Sequence, residues 1–482
     1  MQFKINPFDP HKIIRLMRLL ILLLFFLPQV ICSQDAARRI SKAFTTFRQD
    51  PQLANASYSL YVIDAASGEV VFDYNSKVAL APASTQKVIT TVTAFETLGA
   101  AFRFRTDFGY TGFIKDGVLN GDLVIRGSGD PSLGSWRYPG NSETAVTNAV
   151  TGAMKKAGIR QMEGIVYADD HGYESATVPG GWIWDDLGNY YGAGASALNW
   201  RENQYDLYFK PGAKVGDQPE IVRTVPPLYQ VNLVNELTTA AKGSGDNSYI
   251  YLPPYSATGF IRGTIPMENN FKISGSFPDP ALQAAAVFTE ALKSGGYSPG
   301  IPDSYHNWSG DKSKSDAAFT LLHSQFSPAL DSLVYWFNKK SINLYGESLL
   351  KKMGSVKNGT GSTAEGINVI KEFWKGKGIE PGELDLGDGS GLSPQNRVTT
   401  HAQVTVLRYA INRPWYKSFV DALPEYNNMK MKSGTIRKVK GFCGYQQSAG
   451  GKSYVFSFLV NNYSGNASSL IPKMYSVLDQ LK

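Results

Sequence analysis

The stretch Ala81-Pro-Ala-Ser84-Thr-Gln-Lys87-Val-Ile-Thr-Thr-Val-Thr-Ala-Phe95 decides the fold. Ser84 stands at the start of a helix, and the run from Val88 onward reads as a helix buried in a core. Lys87 is at i+3 from Ser84, so its amine lies one turn up on the same face and can reach the hydroxyl. Two further motifs follow, Ser341-Ile-Asn343 and Lys432-Ser-Gly-Thr435. Together the three supply a hydroxyl nucleophile, an amine one turn away, a second hydroxyl with an amide, and a cation beside another hydroxyl. That is the equipment of serine acyl transfer.

Each motif is short, and each choice is made by context. Ser309/Lys312 repeats the Ser-x-x-Lys spacing inside the polar run 309–316, which reads as a loop. Ser348/Lys351 repeats it inside a helix, where a solvated face explains the lysine. The Lys-Ser-Gly copy at Lys293 ends a helix, with Gly295-Gly296 as its stop.

The 482 residues allow two or three domains, and 43% hydrophobic with 18% charged residues describe an ordinary globular chain. Lys4, Lys12, Arg15 and Arg18 precede the apolar run Leu19 to Leu27, which is too short to span a bilayer; residues 1–33 are read as an export signal cleaved near Ser33, with an uncleaved signal anchor as the alternative. Cys32 follows Ile31, which disfavours lipidation, and cleavage after Ser33 leaves Cys443 as a lone buried thiol with no internal disulfide. Without the leader the net charge of +7 falls to about +4, mildly basic and suited to an anionic envelope. No basic cluster with interleaved aromatics points to nucleic acid. The histidines (His11, His171, His306, His323, His401) show no metal-ligand spacing, so metal hydrolysis has little support, and no cofactor is expected.

Residues 57–63 and 69–74 alternate as strands around the turn at 64–68, and Lys432–Tyr445 and Ser453–Asn461 read as strands before a helix near 469–481. An α/β (α+β) fold is expected, with an antiparallel sheet flanked by helices. The nucleophile lies near one end of the chain and its partners near the other. Segments 34–100 and 306–482 must therefore close into one catalytic domain around an insertion at 101–305, read as one or two mainly β subdomains. Within it 117–126 and 162–169 are strand-like. Asp130 and Asp388 are read as aspartates capping their own glycine-rich turns, and Trp182 and Trp184 as one core and one half-exposed side chain.

The chain resembles the penicillin-binding D-alanyl-D-alanine carboxypeptidases/endopeptidases with a large insertion between the first two motifs. The likeness covers nearly everything after the leader. It is carried by the three motifs and by Gly127-Ser-Gly-Asp-Pro-Ser-Leu133, Gly180-Gly-Trp-Ile-Trp-Asp-Asp-Leu-Gly188, Ala195-Ser-Ala-Leu-Asn199 and Asp388-Gly-Ser-Gly-Leu-Ser393. The resemblance implies a penicillin-recognising serine acyltransferase fold. It implies that Ser84 attacks the carbonyl of a penultimate D-Ala and that a neutral Lys87 takes its proton. Ser341 would relay the proton to the leaving amine, and Asn343 would donate to the substrate backbone. Lys432 and Ser433 would receive the terminal carboxylate, with the amides of Ser84 and Thr435 beside Gly434 forming the oxyanion hole. Ser433 replaces the usual threonine, and Pro394 stands where relatives carry an arginine for a diaminopimelate carboxylate. Asp169 is placed to meet the amino group of that side chain. The implied partners are peptidoglycan stem peptides and β-lactam antibiotics, with at most peripheral membrane association in the periplasm or cell envelope of a bacterium. Two alternatives stand beside this reading: a β-lactamase or esterase on the same fold, and a non-catalytic cell-wall scaffold.

Overall fold

The alternating strands at the two ends of the chain meet as expected. In the computed structural model, which describes residues 35–307 and 311–482, Ser57–Asp64 pairs antiparallel with Ser453–Asn461 along its whole length. The leader with Cys32, and Ser309, lie outside the described residues. The full sheet has six strands, in the order Glu425–Tyr426, Met429–Ile436, Val439–Gln447, Ser453–Asn461, Ser57–Asp64, Val70–Tyr74. The single strand expected over Lys432–Tyr445 is a hairpin instead, turning at Arg437-Lys438. Lys438 adopts φ +59° there, and no glycine or proline marks the turn in the sequence.

Each face of the sheet is covered by helices. On one face, Phe44 and Phe47 of the helix at 35–48 and Leu470 and Met474 of Ala467–Leu478 pack on Leu60, Phe456 and Phe458. On the other, Ile63, Cys443 and Val455 meet the helices Lys87–Leu98, Asn343–Asn358 and Thr400–Ile411. Lys87–Leu98 is buried continuously from Lys87 to Phe95, as its all-round apolar and threonine pattern requires. Leu330–Lys339 and Thr363–Lys375 complete this layer.

The insertion has its own core, centred on Phe108, Trp200, Phe209 and Phe288. It is mainly β, with five- and three-stranded sheets and the helices Glu143–Lys156 and Pro280–Ser294. Its end differs from the expected boundary at 305. Thr320–Phe326 pairs with Arg105–Tyr110 as the edge of the inserted sheet, so the chain leaves the insertion after Phe326. The polar run before it resembles a linker, and a bulge between Leu321 and His323 breaks the alternation that would mark the strand.

Lys351 also departs from expectation. It is fully buried rather than solvated, and its Nζ donates to the carbonyls of Ala176 at 2.6 Å and Ala195 at 3.2 Å, with Glu174 at 3.4 Å. It fastens the Asn343–Asn358 helix to the insertion. Lys351→Ala would leave both carbonyls without this donor. It is expected to destabilise the protein by roughly 2–4 kcal/mol, read as a lower urea midpoint, whereas a surface-like change below 0.5 kcal/mol would show that the clamp carries no stability.

Candidate active site

The chain reaches Ser84, the expected nucleophile, through a short 3-10 turn, Ala83–Gln86, that runs directly into the helix Lys87–Leu98. Ala83 takes φ +47°, a left-handed conformation that costs an alanine roughly 1–3 kcal/mol and is held only where the surroundings enforce it. The enforcing contacts come from 388–391. Gln86 Nε2 donates to the Asp388 carbonyl at 2.6 Å, and the Ala83 carbonyl lies so close to Gly391 that a Cβ there would sit 2.0 Å from its oxygen. Ser84 is half-buried, so its hydroxyl remains reachable.

Lys87 Nζ makes three contacts: Asn343 Oδ1 at 2.6 Å, the Ser390 carbonyl at 2.7 Å and Ser84 Oγ at 3.0 Å. A neutral amine has two N–H bonds and one lone pair. The two shorter contacts are to pure acceptors, which leaves the lone pair for the hydroxyl that can give up a proton. Burial holds the amine well below the usual lysine range, and the positive charge of Lys432 lowers it further. The expected base is thus in hydrogen-bond contact with its nucleophile and in an environment that favours the neutral form.

The second and third motifs meet over the same spot. Ser341, at φ +58°, places its Oγ 3.0 Å from Lys432 Nζ, which also donates to the Ser433 carbonyl at 2.9 Å. Lys432 is almost wholly buried, and desolvation lowers it to about 7. Lys440 on the paired strand, bonded to Thr435 Oγ1 at 2.9 Å, is lowered by burial to about 8. Gly434 passes the nucleophile turn so closely that a Cβ would lie 2.5 Å from the Pro82 carbonyl and 3.0 Å from the Ser84 amide. Only a glycine lets the strand pass this close to the Ser84 turn.

Other expectations are redistributed. Asn343 Nδ2, expected to reach a substrate, donates to the Tyr191 carbonyl at 2.8 Å and so ties the site to the insertion. Asp388 does cap its own loop, accepting from the Gly391 and Ser393 amides, but it also takes Gln86 Nε2, Asn396 Nδ2 and the indole of Trp182. Trp182 is buried and Trp184 is 49% exposed, the expected division. Asp130 accepts from the Ser132 amide and hydroxyl, as a turn residue does. Asp169 is not at the disposal of a ligand. Its side chain is fully buried, one oxygen bonded to Arg126 at 2.7 Å and the other to His171 at 2.5 Å, so its charge is spent inside the inserted sheet. The sequence reading missed Gln86, Tyr191 and the Ser390 carbonyl. All three lie within or beside the quoted strings, but their position there announced no role, and a backbone carbonyl carries no signal of its own.

Residues 40–480 match the D-Ala-D-Ala carboxypeptidase 3 (S13) family, and the chain belongs to that family. A D-alanyl-D-alanine carboxypeptidase of Actinomadura sp. strain R39 is 27% identical over 460 residues, covering 87% of this chain and 80% of that protein. The D-alanyl-D-alanine carboxypeptidase DacB of Haemophilus influenzae is 23% identical over 417 residues, covering 82% and 83%. The crystal structure of penicillin binding protein 4 (dacB) from Haemophilus influenzae superposes with a TM-score of 0.76 at 21% identity, covering 90% of this chain and 98% of that one. A second structure of that protein, with a β-lactam bound, gives 0.71. The fold is therefore the penicillin-binding fold, and the chain is a peptidase of the carboxypeptidase family.

Lys432 and Lys440 bind protons less tightly folded than unfolded, where a lysine titrates near about 10.4. Above about 7 the unfolded chain holds the extra protons, so these groups make stability rise with pH up to about 10 and fall as pH drops towards 7. Between about pH 7.5 and 9, Lys432→Met is expected to flatten the rise of unfolding free energy by up to about 1.4 kcal/mol per unit. Urea melts at the two ends check this, and parallel slopes in wild type and variant would contradict it.

Proposed function

We propose that the protein is a serine-type D-Ala-D-Ala carboxypeptidase that trims peptidoglycan stem peptides in the cell envelope, after export directed by its N-terminal leader. The observation that carries this reading is the Lys87 amine, buried and 3.0 Å from the Ser84 hydroxyl, with its other two contacts on acceptors only. Ser84 Oγ attacks the carbonyl of the penultimate D-Ala while Lys87 takes its proton. The oxyanion forms against the amides of Ser84 and Thr435, where one lost donor typically lowers the rate on the order of a hundredfold. Collapse expels the terminal D-Ala, whose amine receives a proton through Ser341, held against Lys432 at 3.0 Å. Lys432 in its protonated form and Ser433 take the terminal carboxylate. Water then attacks the acyl-enzyme, and Ser84 recovers its proton.

The same geometry accepts a β-lactam, whose strained amide acylates Ser84 with no separate leaving group. The β-lactam-bound structure of the Haemophilus influenzae relative supports this part of the reading. Cleavage of D-Ala-linked crosslinks uses the same bond chemistry and is included in the proposal.

The test is intact-mass spectrometry of the mature protein with benzylpenicillin, followed by peptide mapping, and D-Ala release from a pentapeptide substrate. A stable adduct on Ser84, lost together with D-Ala release in a folded Ser84→Ala variant, is the expected outcome. Peptidase activity that survives Ser84→Ala would overturn the assignment, and rapid drug hydrolysis without an adduct would point to a β-lactamase.

A further inference from the structure

Behind Lys87 lies an acid that the mechanism does not use. Glu347 sits one turn after Asn343 on the same helix and is completely buried. Its Oε2 accepts from the Gly389 amide at 2.9 Å, while Oε1 has no hydrogen-bond partner. The Ser390 hydroxyl is a neighbour of the carboxyl group, and its interaction with that group offsets part of the upward push of burial.

The 389–390 turn that Glu347 holds is the one Lys87 leans on. The Gly389 carbonyl accepts from Thr90 Oγ1 at 2.6 Å, and the Ser390 carbonyl accepts from Lys87 Nζ at 2.7 Å. The turn lies flat on the helix: a Cβ on Gly389 would sit 2.5 Å from the Gly346 carbonyl. A rotation of this peptide would withdraw one of the two acceptors that orient the amine.

The charges facing Glu347 are Asp388 on the same loop, Lys87 on the nucleophile helix, with Lys432 beyond it, and Lys351 one turn along its own helix. Asp388 is occupied by five donors, and Lys351 by the insertion carbonyls. Among the described residues, no cation is in hydrogen-bond contact with Glu347. We propose that Glu347 is a positioning residue working as the neutral acid: it anchors the turn that orients Lys87 and keeps a negative charge from forming behind the amine. Burial and the Asp388 carboxylate push its carboxyl up to about 8, in keeping with a proton retained at neutral pH. The proton belongs on Oε1, since Oε2 accepts from the Gly389 amide. An ionised Glu347 would instead attract the ammonium form of Lys87 and remove the base.

The inference rests on Lys87 acting as base toward Ser84, so the experiment separates the two. Acylation by benzylpenicillin is followed in wild type, Glu347→Gln and Glu347→Ala, all checked for folding by thermal melting. Glutamine keeps the acceptor for Gly389 and carries no charge, so its rate at neutral pH is expected within about threefold of wild type. Alanine frees the turn and is expected to lower the rate constant for acylation by at least about tenfold, with little change in drug affinity. Wild-type rate is expected to fall in two steps, as Lys432 loses its proton at about 7 and Glu347 ionises at about 8, and Glu347→Gln is expected to keep the first step and lack the second. A glutamine variant as slow as alanine would show that the anion is needed, and an alanine variant as fast as wild type would show no positioning role. Either result overturns the proposal. Should alanine fail to fold, the pH profile of the glutamine variant decides alone. A wild-type protein that never acylates at Ser84 would sink the underlying reading instead.

Discussion

A lysine amine held inside the protein, with a hydroxyl, an amide oxygen and a backbone carbonyl as its contacts and no carboxylate among them, is the constraint on which the rest of this structure depends. Burying an unpaired charge is expensive, and the group lowers that cost by giving up its proton. Every element around it serves to keep it dry and oriented. Its acceptors come from residues 256 and 303 positions away in the chain, so this setting of the amine exists only once both ends of the sequence have closed around the insertion. The six-stranded sheet performs that closure by pairing its first long strand with its last.

The insertion takes part in the site rather than decorating it. Trp182 donates to Asp388, Tyr191 receives Asn343, and the carbonyls of Ala176 and Ala195 hold Lys351. These three attachments land on the loop and the helix that carry two of the contacts of Lys87. Asp388 is the hinge of the arrangement. It binds its own turn, the Ser84 turn through Gln86, and the insertion through Trp182, so one buried carboxylate sets the mutual distance of three segments.

Much of this was legible in the sequence. The Ser84–Lys87 spacing, the continuous burial after Val88 and the alternation at both ends gave the helix, the sheet and their closure, because period and burial are local signals. What escaped was whatever depends on partners distant in sequence. Lys351 resembles any helical lysine until the carbonyls of 176 and 195 are placed above it. Asp169 carries the right charge for a ligand, yet Arg126 and His171 consume it. The strand Thr320–Phe326 is polar and bulged, so only its neighbour Arg105–Tyr110 reveals it. The Ser390 carbonyl has no sequence signature at all, since any residue supplies a backbone oxygen.

The central claim is that Lys87 is neutral when it meets Ser84. Direct titration of its amine settles this, with lysines labelled at the ε carbon, the Lys87 signal assigned by its loss in Lys87→Arg, and its chemical shift followed against pH. The account predicts a Lys87 that is already deprotonated at neutral pH while the surface lysines remain charged. A Lys87 that keeps its proton to the pH at which the surface lysines titrate would contradict it.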